Sequence, residues 1–215
     1  MNKKIVLVLL LATVLAGGAF AQSMSAGVGG GFAALMESQS HKDFDIPADD
    51  QPPTNTGVAF GAFFDASYAM VKLGMFIGGH EEKDGDFSMK MTGTFLSLGV
   101  LGKYPIDLGG FTLFPMLGFE YNMFQSMEMS IGPLNVKMKR SEIEDLGGKA
   151  SEYDQLILQL GVGADINLTE QLYLRPTLLW GIDLNSTERE KKFKDDGGSI
   201  FRHKLDIGVA VGFKF

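Results

Sequence analysis

Along the carboxy-terminal segment, Leu205, Ile207, Val209, Val211, Phe213 and Phe215 share one parity, and Arg202, Lys204, Asp206, Gly208, Ala210, Gly212 and Lys214 share the other. Side chains of a strand point alternately to its two faces, so this pattern predicts a strand with one apolar face and one face of small or charged residues. The alternation recurs upstream. Leu172, Leu174, Pro176, Leu178, Trp180, Ile182 and Leu184 oppose Tyr173, Arg175, Thr177, Leu179, Gly181, Asp183 and Asn185. Even positions from Leu156 to Leu168 oppose Ile157, Gln159, Gly161, Gly163, Asp165 and Asn167. Odd positions from Phe111 to Met123 oppose Thr112, Phe114, Met116, Gly118, Glu120 and Asn122. Four further strands are expected over Ser25–Met36, Thr56–Phe64, Tyr68–Gly78 and Phe87–Gly102. In the last of these, Met89 and Met91 are odd whereas Leu96, Leu98 and Val100 are even, which predicts a bulge at Thr92-Gly93.

The connections alternate in character. Asp65-Ala66-Ser67, Tyr104 to Gly110 and Thr169-Glu170-Gln171 read as short turns. Glu37 to Asn55, His80 to Asp86, Gln125 to Glu152 and Ser186 to Ser199 are mostly longer and richer in charge. Short turns at one end and long loops at the other is the layout of a membrane-spanning antiparallel barrel. Aromatic residues fall where interfacial girdles are expected: Tyr104, Phe111, Phe119, Tyr121, Trp180, Phe201, Phe213 and Phe215. A soluble barrel of lipocalin type also alternates. Size separates the two: the opposite face carries Gly, Ala, Asn or a single charge, which suits a narrow interior, whereas Leu, Phe, Val and Trp placed inside would overfill eight strands.

Targeting and composition narrow the class. Lys3 and Lys4, the apolar run Ile5 to Leu15 and the small-x-small site Ala19-Phe20-Ala21 form the three-part pattern of a cleaved secretory signal peptide over residues 1–21, leaving 22–215 as the barrel domain. A membrane helix needs roughly 18 or more apolar residues, and charges interrupt the later runs too often for one. The 215 residues carry a formal net charge of -7, which argues against a nucleic-acid partner. They contain no Cys, which excludes disulfides, zinc-thiolate sites and thiol nucleophiles.

The terminal Phe215, the aromatic Phe213 two places earlier and the apolar positions back to Leu205 resemble the carboxy-terminal strand signature of bacterial outer-membrane proteins. With the leader and the eight strands, the whole mature chain is similar to the small OmpX/OmpW/OmpA-type barrel family. The fold expected is all-β: an eight-stranded antiparallel up-and-down transmembrane β-barrel. The resemblance implies export through the periplasm, residence in the outer-membrane lipid, and recognition of Phe213 and Phe215 by the barrel-assembly machinery.

On these registers Lys72, Glu120, Asp165, Arg175, Asp183, Lys204 and Asp206 point into the lumen, with Arg202 and Lys214 nearer the ends. Mixed acids and bases suit a set of ion pairs that fills the interior; the functional alternative is a narrow polar path whose charges gate ions. Beyond Tyr121, residues Met123, Gln125, Met127, Met129 and Ile131 keep one parity up to the turn signal Gly132-Pro133, and Leu134, Val136 and Met138 follow at period two. A hairpin protruding past the membrane is expected. Ser141-Glu142-Ile143-Glu144 then matches a capping box and Gly147-Gly148 a stop, so a short helix returns the chain. Phe124, Met127, Met129, Ile131, Val136 and Met138 are the candidate contacts of this loop, either covering the barrel mouth or meeting an extracellular protein or small apolar molecule.

No catalytic, cofactor or metal site is expected. Asp43, Asp45, Asp49 and Asp50 lack the Gly and terminal Glu of a calcium loop and read as a solvated loop. His41, His80 and His203 have no nucleophile elbow nearby, and a pairing of His80 with Ser88 across a hairpin is the one triad fragment conceivable. The function expected is non-enzymatic display of surface loops, structural, adhesive or partner-binding. The alternative is an OmpW-like narrow conduit or porin for small apolar molecules or ions.

Overall fold

The computed structural model describes residues 24–43, 45–47, 51–84, 87–185 and 193–215. The signal peptide expected over 1–21, Asp49 and Asp50 lie outside these residues. Ten strands form: β1 (Met24–His41), β2 (Asn55–Ala66), β3 (Ala69–Asp84), β4 (Phe87–Lys103), β5 (Ile106–Asp107), β6 (Phe111–Ile131), β7 (Leu134–Lys139), β8 (Gln155–Asn167), β9 (Leu172–Asp183) and β10 (Gly198–Lys214). Eight of them close an antiparallel ring, β1-β2-β3-β4-β6-β8-β9-β10, sealed by β1 on β10 and by β4 on β6. Closure gives the strands of the ring hydrogen-bonding neighbours on both sides, which a lipid environment requires. The two extra strands are appendages: β5 pairs the start of β6, and β7 folds back on its end.

The faces of β6, β8, β9 and β10 fall as the alternation predicts. Val209, Val211, Phe213, Leu178, Leu160, Leu117 and Phe119 are exposed on the outer wall, whereas Glu120, Gln159, Arg175 and Lys204 are buried inside. All eight girdle aromatics are exposed. Apolar residues outside and charges inside is the inverse of a water-soluble barrel, and it suits a bilayer.

Several boundaries differ from expectation. The first turn is Ser67-Tyr68, with Ser67 in the left-handed region, so Asp65 belongs to β2 rather than to the turn. The loop-end strands run further than the membrane needs, β1 to His41 and β3 to Asp84. The bulge expected in β4 at Thr92-Gly93 is absent there, since β4 pairs with β3 without interruption from Asp84↔Phe87 to Ala69↔Gly102. It lies in the partner: Thr94 pairs with Ser126 and Phe95 with Phe124, leaving Gln125 as the extra residue of β6. Odd positions of β4 from Met89 onward therefore face inward, Met91 included.

The lumen is asymmetric. Gly29, Gly61 and Gly74 lie side by side across β1, β2 and β3, giving one wall almost no side-chain volume. A close approach fixes glycine at Gly57, where a Cβ would collide with the Ile77 carbonyl oxygen. Long side chains, Lys72, Arg175 and Lys204 among them, border the space so vacated, where a cavity of about 150 Å³ remains.

Candidate functional site

At the turn end the lumen is closed by two cations and two acids. Arg175 of β9, 2% exposed, donates from Nε and Nη2 to Asp165 at 2.6 and 2.8 Å and meets Asp65 of β2 at 2.6 Å. Lys103, at the end of β4, reaches Asp65 at 2.7 Å. The guanidinium sits 4.6 Å from the Phe63 ring centroid and 5.0 Å from those of Phe114 and Tyr173. Tyr173 is in turn tied to Ser25 by a 2.7 Å hydroxyl contact. Aromatic faces stabilise a cation while excluding water, so this layer is both neutralised and dry.

A second layer lies above. Glu120 is held by Lys204 at 2.5 Å and Lys72 at 3.3 Å; Lys204 also meets Asp206 at 3.2 Å, and Gln159 Nε2 donates to Asp206 at 3.1 Å. Higher still, Arg202 reaches Asp183 at 3.3 Å. The structure thus places Lys72, Glu120, Asp165, Arg175, Asp183, Lys204 and Asp206 inside the barrel and joins them in ion pairs. Two members, Asp65 and Lys103, are not among the sequence-predicted site residues; both sit at strand ends beside turns, where parity is hardest to read.

Above the layers the barrel opens into a cavity of about 870 Å³. Part of its wall is an aromatic arc: Phe76 stacks on Phe95 at 6.1 Å, Phe95 meets Phe124 edge-on at 5.8 Å, and Phe124 meets Tyr153 at 5.1 Å. Phe124, expected on the loop surface, is buried here, because the inward parity of β6 continues to it. The bulge at Gln125 then inverts the strand. Met127 pairs with Gly93 and lines the cavity, and Met129 and Ile131 pair with the inward-parity Met91 and Met89. The parity shared with Tyr121, expected to persist through Ile131, is therefore broken by one residue.

The long loop is anchored by Asp154. This buried carboxylate accepts from Arg140 at 2.7 and 3.2 Å, from the Tyr121 hydroxyl at 2.6 Å and from the Phe124 backbone N–H at 2.9 Å. The Arg140 guanidinium, hydrogen-bonded to Asp154, has its pKa raised above the ordinary arginine value. The helix α1 (Arg140–Asp145) begins two residues earlier than the expected box: Lys139 is the N-cap, and its N–H donates to Glu142 at 2.8 Å, so Ser141 is not the cap. Gly147, at φ +79°, and the Gly148 N–H bonded to the Ile143 carbonyl end it, as the Gly-Gly signal predicts. β6 and β7 project beyond the ring as a hairpin turning at Gly132, with φ +54°. Leu134 is 68% and Val136 55% exposed, whereas Met129, Ile131 and Met138 are half-buried.

The histidines are engaged elsewhere than in a triad. His80 Nδ1 lies 2.8 Å from Asn55 Oδ1, and Ser88 donates to Glu81 at 3.3 Å, so the conceivable His80–Ser88 pair is not formed. His41 Nε2 is 2.9 Å from the Asp196 carbonyl, and His203 makes tilted ring contacts with Trp180 and Phe201. Among the described residues no His, Cys, Asp and Glu are grouped so as to hold a metal ion.

The chain aligns with solved protein structures. Neisserial surface protein A aligns over 89% of this chain and 97% of its own, with 10% identity and a TM-score of 0.50. The amino-terminal β-barrel domain of OprF from Pseudomonas aeruginosa aligns over 91% and 99%, with 12% identity and a TM-score of 0.41. The outer-membrane protease OmpT from Escherichia coli aligns over 91% and 98%, with 8% identity and a TM-score of 0.37. At these identities the likeness is one of fold. No curated protein matches the sequence significantly. A family model, described as outer membrane protein beta-barrel domain, matches residues 7–215. Those residues include every strand of the ring, and the chain belongs to that family: it is a small eight-stranded β-barrel of the bacterial outer membrane.

Proposed function

We propose that this protein is a non-enzymatic, non-conducting barrel that holds its loop end, and above all the β6–β7 hairpin, toward a partner outside the cell. The observation that carries this reading is the contrast along the barrel axis: layers of paired charges cross the lower lumen, while Leu134 and Val136 stand exposed on a hairpin held by the Asp154 anchor. The barrel fixes where the loops begin and end, and specificity resides in them. Insertion into outer-membrane lipid through the assembly machinery, with Phe213 and Phe215 as the signal, accompanies the reading; both rings are exposed on the outer wall.

The test is single-channel recording of the refolded protein in planar bilayers, with and without residues 125–152, after heat-modifiable gel mobility confirms folding. Silence in both forms is expected. Stable conductance of the intact protein overturns the reading. The alternative, a narrow conduit for small apolar molecules or ions, draws on the loop-end cavity with its aromatic arc; solute uptake by proteoliposomes would support it over display.

A further inference from the structure

The loop-end cavity has two unlike sides. On one, Phe95 and Tyr153 border the cavity, packed on either side of the buried Phe124, with Met91 and Met127 beside them. Flat rings offer π faces, and methionine thioethers adapt to irregular shapes. The other side is polar and, among the described residues, acidic in balance. Four carboxylates line the cavity: Glu37, Glu82, Glu152 and Asp183. Its two strong cations already have partners, Arg202 in Asp183 and the Asn185 carbonyl, and Lys204 in Glu120 and Asp206. Glu37, Glu82 and Glu152 make no ion pair among the described residues; Glu37 accepts a hydrogen bond from Gln39 at 2.7 Å. The lower end of the arc already receives a cation, with Lys204 Nζ 5.6 Å from the Phe76 centroid. No described cation stands over the three upper rings.

We infer that this cavity binds a small organic cation with a flat apolar body, of the aromatic quaternary-ammonium kind. The volume of about 870 Å³ falls within the range of roughly 300–1,000 Å³ typical of small-molecule sites. The flat body stacks on the half-buried Phe95 ring, and the positive centre gains the neighbouring ring faces and the unpaired carboxylates. A matching anion meets those carboxylates without a free counter-charge and is disfavoured. The site is closed below by the Glu120 layer, so the ligand enters and leaves from the loop end. The inference stands apart from the hairpin reading, since exchanging Leu134 and Val136 alters no residue of the cavity wall.

The experiment compares two bicyclic ions of similar size and opposite charge, N-methylquinolinium and naphthalene-2-sulfonate, by calorimetric titration of the protein in nanodiscs, with empty nanodiscs subtracted. The cation is expected to bind at least about tenfold tighter than the anion. The paired substitution Glu37→Gln and Glu82→Gln should weaken the cation several-fold, and Phe95→Leu should do the same, each with unchanged heat-modifiable mobility. High salt should reduce the preference, because the carboxylates are partly solvated. Equal affinity for the two ions, tighter binding of the anion, no cation binding at millimolar concentration, or an unaltered cation affinity in the folded Glu37→Gln, Glu82→Gln variant overturns the inference.

Discussion

The turn half and the loop half of the barrel are built from the same strands and solve opposite problems. In the turn half, Asp65, Lys103, Asp165 and Arg175 bury their side chains and pair with one another, and aromatic rings pack against Arg175 and Lys103. In the loop half, rings border an open cavity, carboxylates stand without ion pairs, and the chain runs on past the ring. A buried charge is tolerated only when paired, so neutralisation and closure arrive together in the turn half. The loop half is open, so polar groups there need no buried partner. Buried ion pairing belongs to one end, and the proposed recognition to the other.

That division can be broken at its strongest point first. Arg175→Leu leaves Asp65 with only Lys103 and Asp165 with none of its described partners, and urea unfolding of the refolded barrel is expected to show a loss of about 3–5 kcal/mol. A loss under about 1 kcal/mol would mean that water, not the arginine, solvates these acids. One layer up, Glu120→Gln removes the charge shared by Lys204 and Lys72 and should cost roughly 1.5–3 kcal/mol in the same titration. Cost comparable to that of Arg175→Leu would place the stability boundary higher in the barrel.

At the border between the halves, Asp154→Asn weakens the anchor of Arg140 while leaving the ring intact. The expected effect is local, about 1–3 kcal/mol of protection lost by residues 140–154 in hydrogen exchange, with global unfolding little changed. Uniform loss of protection throughout the ring would show the two halves to be one cooperative unit. The smallest effect is predicted furthest out: Leu134→Ser with Val136→Ser should shift barrel stability by no more than about 0.5 kcal/mol, because both side chains are exposed. Binding to an external partner is the property expected to fall.

Legibility in the sequence followed the same geography. Along β8, β9 and β10 the two faces differ so strongly in size and polarity that the register could be read residue by residue, and Asp165, Arg175, Asp183, Lys204 and Asp206 were found inside. At β6 the pattern misled, because Met127 and Met129 look like a continuation of the outer face that ends at Met123. One extra residue, Gln125, inverts everything beyond it, and methionine suits either face. The odd methionines of β4 prompted a bulge at Thr92-Gly93 for the same reason, although the strand is unbroken and they simply face the widening mouth. Asp65 and Lys103 escaped notice because partnership across 38 residues leaves no local mark.

By itself the sequence determined the class: alternation of greasy and small residues, repeated at strand length with short and long connections in turn, specifies a closed sheet with its apolar face outward. That follows from local stereochemistry, since neighbouring side chains on a strand must point to opposite faces. Only the tertiary structure decided which charges neutralise one another, where β6 inverts, and that the lumen is closed at one end and open at the other. These depend on side chains brought together from distant strands by ring closure, and on a single inserted residue whose effect is visible only against its partner strand.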